Sequence, residues 1–139
     1  ATNTDQALIK VLRCSTLDQL RVARNVLGHR DESGPATDED VYLAVEASQP
    51  VGALSLTVNV HVRGEAQITT LTVISGVADI RGTTLELLAA AFSGLEAHGV
   101  THVSVSAQAI LSSAVQRLGW TDPDQRLELD VVRQRLRRF

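Results

Sequence analysis

The sequence predicts an α/β fold of the mixed α+β kind, in which helices cover a twisted mixed sheet. Three observations carry this expectation. Short alternating runs rich in Val, Leu and Thr punctuate the chain, helical-period segments with cap and stop signals lie between them, and hairpins come first with a strand, long helix, strand unit after them. With 139 residues, 44% of them hydrophobic, the chain is long enough to bury a core and short enough to be read as one domain, 1–139.

Residues 7–13 read as a first strand. Ser15 or Thr16 can cap a helix over 17–27, where Leu17, Leu20, Ala23 and Leu27 share a face and Gly28 is a natural stop. Residues 29–40 are polar, with Gly34-Pro35 marking a loop that has room for a short helix. A hairpin follows, with strands over 41–46 and 53–62 and a turn at Gln49-Pro50-Val51-Gly52. In its second strand Leu54, Leu56, Val58, Val60 and Val62 alternate with Ser55, Thr57, Asn59 and His61, which predicts one buried and one polar face. Arg63-Gly64 turns the chain into a strand over 66–74, and a loop over 75–81 leads to a long helix from Thr83 to about His98, stopped by Gly99. A strand over 100–106, a short helix over about 110–118 stopped by Gly119, and a final strand over 127–132 complete the order β-α-β-β-β-α-β-α-β. The long helix makes 66–74 and 100–106 a parallel pair, and the earlier hairpins are antiparallel.

A net charge of −3 argues against a nucleic-acid binder, because neutralising phosphates takes a local excess of Lys and Arg. The basic run from Arg133 to Arg138 reads as a solvated tail or edge strand. The longest apolar stretch, 85–92, is too short to cross a bilayer and is interrupted by Glu86, so no membrane span is expected. The first residues lack the basic start and apolar run of a signal peptide, and the lone Cys14 rules out an internal disulfide; both suit a cytoplasmic protein. Four dispersed His, without a Cys partner or an H-x-x-x-H spacing, predict no metal site.

The order and spacing of four features resemble the GNAT superfamily of CoA-dependent N-acyltransferases. These are the hairpin over 41–62, the Leu71-Thr72-Val73 step, Arg81-Gly82 opening the long helix, and Leu118-Gly119-Trp120 after the short one. The resemblance covers nearly the whole chain. It implies acetyl-CoA or another acyl-CoA as co-substrate, with Leu71 and Val73 of the fourth strand against the pantetheine arm and Arg81, Gly82, Thr83 and Thr84 cradling the diphosphate. Free N–H groups at a helix start suit an anion, and glycine allows close approach.

The family's motif there is Gln or Arg, two residues, Gly, one residue, then Gly or Ala. With Arg81 first, Thr84 and Glu86 replace the small residues; with Gly82 last, Ile80 and Val77 replace the Gly and the Gln or Arg. The first register keeps the Arg-Gly step, but its Glu in the first helical turns repels a diphosphate. In the short helix the family's Asn and Tyr positions read about Gln108 and Val115, so the usual proton donor to the departing thiolate is missing. Ser112 and Ser113 read as packing or surface residues, Trp120 as a core anchor and His98 as a helix C-terminal charge, while His102 reads as exposed. The candidates for a catalytic base are Glu65, at the mouth of the fourth strand, and His61 on the neighbouring one.

Two function classes remain open. One is an N-acyltransferase moving an acyl group from acyl-CoA to an amine, on a small molecule or a peptide. The other is a GNAT-like module without catalysis that acts in binding or assembly, with a homodimer formed through strands as one form of it. An unrelated α+β fold with the same order is the remaining alternative.

Overall fold

The computed structural model describes residues 9–28, 39–59, 63–74, 79–123 and 125–138. Their strands β1 (Ile9–Arg13), β2 (Glu39–Glu46), β3 (Gln49–Val58), β4 (Glu65–Val73), β5 (His102–Val105) and β6 (Leu127–Glu128) lie side by side in chain order in one six-stranded sheet. The pairings are antiparallel except between β4 and β5, which run parallel in the register Glu65↔His102 to Ile68↔Val105. That parallel pair is joined by the long helix α2 (Ile80–Ala97), as a crossover requires.

Helix α1 (Leu17–Leu27) starts at Thr16 with a reciprocal cap. Thr16 Oγ1 accepts from Gln19 N at 3.1 Å, and Gln19 Oε1 accepts from Thr16 N at 3.3 Å. Its Ala23 and Leu27 pack on Val41, Leu43 and Ala53, on one face of the sheet. The opposite face, with Tyr42, Ala44, Leu54, Leu56 and Ile68, packs on Leu87, Leu88, Ala91, Phe92 and Leu95 of α2. The central strand β3 is therefore covered on both sides. Ala53 and Ser55 are as fully buried as Leu54 and Leu56, so the expected polar face of that strand is a second core face. Gly52 is what lets α2 lie so close: a Cβ there meets Thr72 O at 3.0 Å and Thr83 Cγ2 at 3.3 Å.

The hairpin turn falls earlier than the Gln49-Pro50-Val51-Gly52 expected from composition. Ala47 and Ser48 take it, with φ of 51° and 67°, and Gln49 already lies in β3. Two consecutive left-handed residues match the twist of a two-residue hairpin, and a bulge at Ala44/Val45 accommodates Pro50.

The C-terminus departs more strongly from expectation. After the two residues of β6 the chain becomes helix α4 (Leu129–Arg137) rather than continuing as a strand, because Leu129, Val132 and Leu136 recur at helical spacing and face α2 and the core. The basic run is thus helical: Arg133 pairs with Glu96 of α2, and Arg135 Nη1 donates to Leu118 O at 2.8 Å. The expected short helix is split into a single 3₁₀ turn (Ala109–Leu111) and α3 (Ser113–Arg117). Trp120 anchors this end as expected. It is fully buried, donates through Nε1 to Val103 O at 3.2 Å, and lies 6.3 Å from Phe92 between ring centroids. Among the described residues no helix is long and apolar enough to cross a membrane. The polar loop expected over 29–40 falls outside the described residues except for Glu39 and Asp40, which open β2; His61 also falls outside them.

Candidate functional site

The site is built where β4 and β5 part. Their ladder ends at Ser106, whose N–H donates to Ile68 O at 2.9 Å and whose Oγ donates to Thr69 O at 2.6 Å. Thr69 is the extra residue of a β-bulge, since Ser55 pairs with Thr70 but Leu56 with Ile68. Ser55 Oγ and Thr69 Oγ1 share a hydrogen bond at 2.7 Å that pins the bulge from the β3 side. Beyond it, β5 turns away while β4 continues to Val73. Ile74 N donates to Val51 O at 2.8 Å, so by the alternation of an antiparallel ladder the backbone groups of Leu71 and Val73 project away from β3. They point into the gap that β5 has left.

That gap is a cleft of about 510 Å³, bounded by Leu71, Thr72 and Val73 on β4, by Ile80, Arg81 and Thr84 on α2, and by Gln108, Leu111, Ser112, Ser113, Ala114 and Arg117 on the far wall. Leu71, Val73, Arg81 and Thr84 of the sequence-derived set are brought together here. Thr83 is not: it is fully buried under the sheet, and its Oγ1 donates to Asp79 O at 2.8 Å. Gly82 lies in the helix's first turn, not ahead of it, because α2 begins at Ile80 with Asp79 as its N-cap.

The helix start beside the cleft is already capped. Asp79 Oδ1 accepts from Gly82 N at 2.8 Å, so a carboxylate already sits on the helix start. The structure starts the helix one residue before Arg81, with Asp79 as its cap, which opens a third register for the motif the resemblance implied. Counted from Asp79, the family pattern places its Gly at Gly82 and its last small residue at Thr84, a register that sequence reading from Arg81 missed. The signal was Asp79 itself, a capping residue three positions before Gly82. Thr84 is buried against the cleft, with Oγ1 donating back to Ile80 O at 2.8 Å. Arg81 and Arg117 both line the cleft and supply its positive charge.

The far wall holds a residue the sequence could only place approximately. Gln108 Oε1 accepts from Leu71 N at 2.9 Å and its Nε2 donates to Leu71 O at 3.1 Å, so one carboxamide takes both backbone groups of Leu71. Val115, at the family's Tyr position, is fully buried in the core and does not face the cleft. Ser112 and Ser113 do line it. Among the described residues lining the cleft, none is a carboxylate, a His or a Tyr.

Glu65 stands at the other end of β4, about 20 Å from Leu71 at ~3.3 Å per residue. Its Oε1 accepts from Arg126 Nη1 at 2.5 Å, and burial leaves its side chain 16% exposed. The cleft lies at the opposite end of that strand. His102 neighbours it in the next strand, half-buried, with Nδ1 3.0 Å from Thr101 Oγ1. His98 caps the end of α2, its Nδ1 2.8 Å from Gly94 O. Among the described residues no group of His, Cys, Asp and Glu is arranged to hold a metal ion. Burial pushes the Cys14 thiol up to about 11; it packs beside the α1 core and donates through Sγ to Gln19 O at 3.7 Å.

No protein-family profile and no curated protein sequence matches the chain. Solved structures do. The aminoglycoside N-acetyltransferase AAC(6′)-Iy in complex with CoA superposes with a TM-score of 0.67 at 14% identity, over 89% of this chain and 95% of that one. An aminoglycoside acetyltransferase from an uncultured soil metagenomic sample, in complex with sisomicin, gives 0.61 at 19% identity over 84% and 91%. A GCN5-related N-acetyltransferase from Kribbella flavida gives 0.64 at 14% identity over 86% of this chain and 48% of that one. The chain therefore has the fold of the GNAT superfamily.

Proposed function

We propose that the chain is an N-acyltransferase of low turnover that takes an acyl-CoA, such as acetyl-CoA, in the cleft between β4 and the α3 wall and passes the acyl group to an amine. The cleft at the parting of β4 and β5 carries this reading, because it presents strand backbone to an extended chain and arginines to an anionic end. Val73 offers N–H and C=O to an amide-bearing arm, as an added strand would use them. Arg81, Arg117 and the Thr84 side of α2 line the part of the cleft in which phosphates would lie. The fit is uneven: the arm finds a groove, whereas the Asp79 carboxylate opposes a diphosphate at the helix start. The CoA and aminoglycoside complexes of the structural neighbours support an acyl-CoA donor and a small amine acceptor; a peptide amine fits the same chemistry.

In the reaction the amine nitrogen attacks the thioester carbonyl, the C–N bond forms, the C–S bond breaks, and the thiolate leaves. The amine proton goes to water and the thiolate takes one from water, since no described cleft residue is a carboxylate, a His or a Tyr. A positioned acid or base is typically worth about 10²- to 10⁴-fold, so slow turnover follows. The same two observations, the Asp79 cap and the absence of an acid or base, favour the second reading, a binding module without catalysis. Thiol release from acetyl-CoA across small amines and peptide N-termini separates the two. Release above the blank that saturates in amine supports the enzyme, and release at the blank rate throughout leaves the module. Glu65→Gln is expected to leave the rate unchanged, because Glu65 is held by Arg126 at the far end of β4.

A further inference from the structure

We propose that Gln108 is a specificity-determining residue of the cleft: its carboxamide occupies the position of a ligand amide at Leu71, and an extended ligand that pairs with Leu71 is taken up in competition with it. This rests on the reading that the cleft accepts an amide-bearing chain along β4.

Leu71 lies just past the bulge, where β5 has left the sheet and no strand remains to pair with its N–H and C=O. Buried or half-buried backbone groups need partners, and here one side chain supplies both. Gln108 accepts at 2.9 Å and donates at 3.1 Å, so the carboxamide and the N–H and C=O of Leu71 close a nine-membered hydrogen-bonded ring. The residue bearing it is held firmly. Ser106, two positions earlier, is tied to Thr69 O and receives Ala109 N at 3.1 Å, so the start of the 3₁₀ turn is fixed to the bulge. Yet Gln108 itself is solvent-exposed and lines the cleft, so its carboxamide can swing out without disturbing the core.

The consequence for ligands follows from counting bonds. A chain whose amides pair only with Val73 coexists with Gln108. One that also pairs with Leu71 displaces the carboxamide, and its own hydrogen bonds are offset by the two that are broken. Ligands with a donor and an acceptor placed to replace both are preferred over those with one, and thioesters lacking an amide gain nothing from Leu71.

The test is calorimetric titration of the full chain with pantetheine, which has the two-amide arm and no phosphate, comparing wild type, Gln108→Ala and Gln108→Glu. The Ala variant is expected to bind about tenfold tighter, the size of one or two neutral hydrogen bonds that no longer compete. The Glu variant keeps an acceptor for Leu71 N–H but sets a carboxylate against Leu71 O, and is expected to fall between the two. N-acetylcysteamine, with one amide, is expected to gain less. In wild type, pantetheine is expected to move the Gln108 side-chain NH₂ and Leu71 N–H resonances together. Pantetheine binding to Gln108→Ala that is equal to or weaker than wild type overturns the proposal, as does a Gln108 side-chain signal unmoved at saturation. Acetyl-CoA run alongside keeps the outcomes apart. Tighter pantetheine binding to Gln108→Ala with no acetyl-CoA binding supports Gln108's role and refutes the acyl-CoA reading; equal acetyl-CoA binding by both proteins does the reverse.

Discussion

Asp79 sits where a helix start meets a cleft, and its carboxylate serves the fold at the expense of an anionic ligand. It caps Gly82 N, which stabilises α2 by about 1 kcal/mol, and it places negative charge beside Arg81 and Thr84. Asn caps as well as Asp, so Asp79→Asn separates the two effects. That variant is expected to keep its unfolding midpoint in urea and to bind CoA about fivefold more tightly, a gain of ~1 kcal/mol from the helix dipole and the removed charge. Unchanged CoA affinity with intact folding would show that the diphosphate never approaches this helix. Cys14 makes a second prediction at this scale. Its thiol ionises only near 11 in the folded chain because burial disfavours the thiolate, against about 8.5 when unfolded. Stability therefore falls as pH rises through that window, since the unfolded chain releases this proton first. Alkylation by iodoacetamide is expected to be slow at pH 8 and to rise with a midpoint near 11 in the folded protein; a midpoint near the free-thiol value contradicts the burial.

At the scale of elements, what was legible in the sequence is what has a strong local signal. Helix α1 is read to its ends because Thr16, Gln19 and Gly28 mark them, and the parallel crossover follows from a long apolar helix between two strands. The misread elements are those where two periods coincide. From Leu127 to Val131 every second residue is apolar, which suits a strand, while Leu129, Val132 and Leu136 suit a helix, and contact with α2 decides for the helix. The hairpin turn was placed on Pro50 and Gly52, yet Gly52 serves packing against α2 and two ordinary residues take the left-handed turn. The cleft wall shows the same competition. Val115 occupies the family's Tyr position in sequence, but the kink after the 3₁₀ turn rotates it into the core beside Leu118 and Trp120. Val115→Tyr is therefore expected to destabilise the protein by about 1–3 kcal/mol through overpacking, read as a lower urea midpoint, without raising acyl transfer. A stable variant with faster thiol release would mean that this side chain faces the cleft.

For the whole molecule, the order of strands and helices was enough to expect a GNAT-like mixed sheet, because topology is set by connections that the sequence displays. The cleft's chemistry was less legible, because it depends on a bulge. One extra residue at Thr69 sets the phase of Leu71 and Val73 relative to β5, and the Ser55 hydroxyl that holds it lies on another strand. The pairing of Gln108 with Leu71 spans the crossover and has no local sequence signature. Glu65 looked well placed as a base at the strand's mouth, but a strand has two ends and the cleft is at the other one. The central claim is that an acyl-CoA lies along β4 beyond this bulge, and backbone amide NMR of the full chain titrated with acetyl-CoA tests it most directly. The account predicts saturable shifts concentrated at residues 71–73, 80–84 and 108–117; no shifts at millimolar acetyl-CoA, or shifts centred instead on Glu65 and His102, would contradict it.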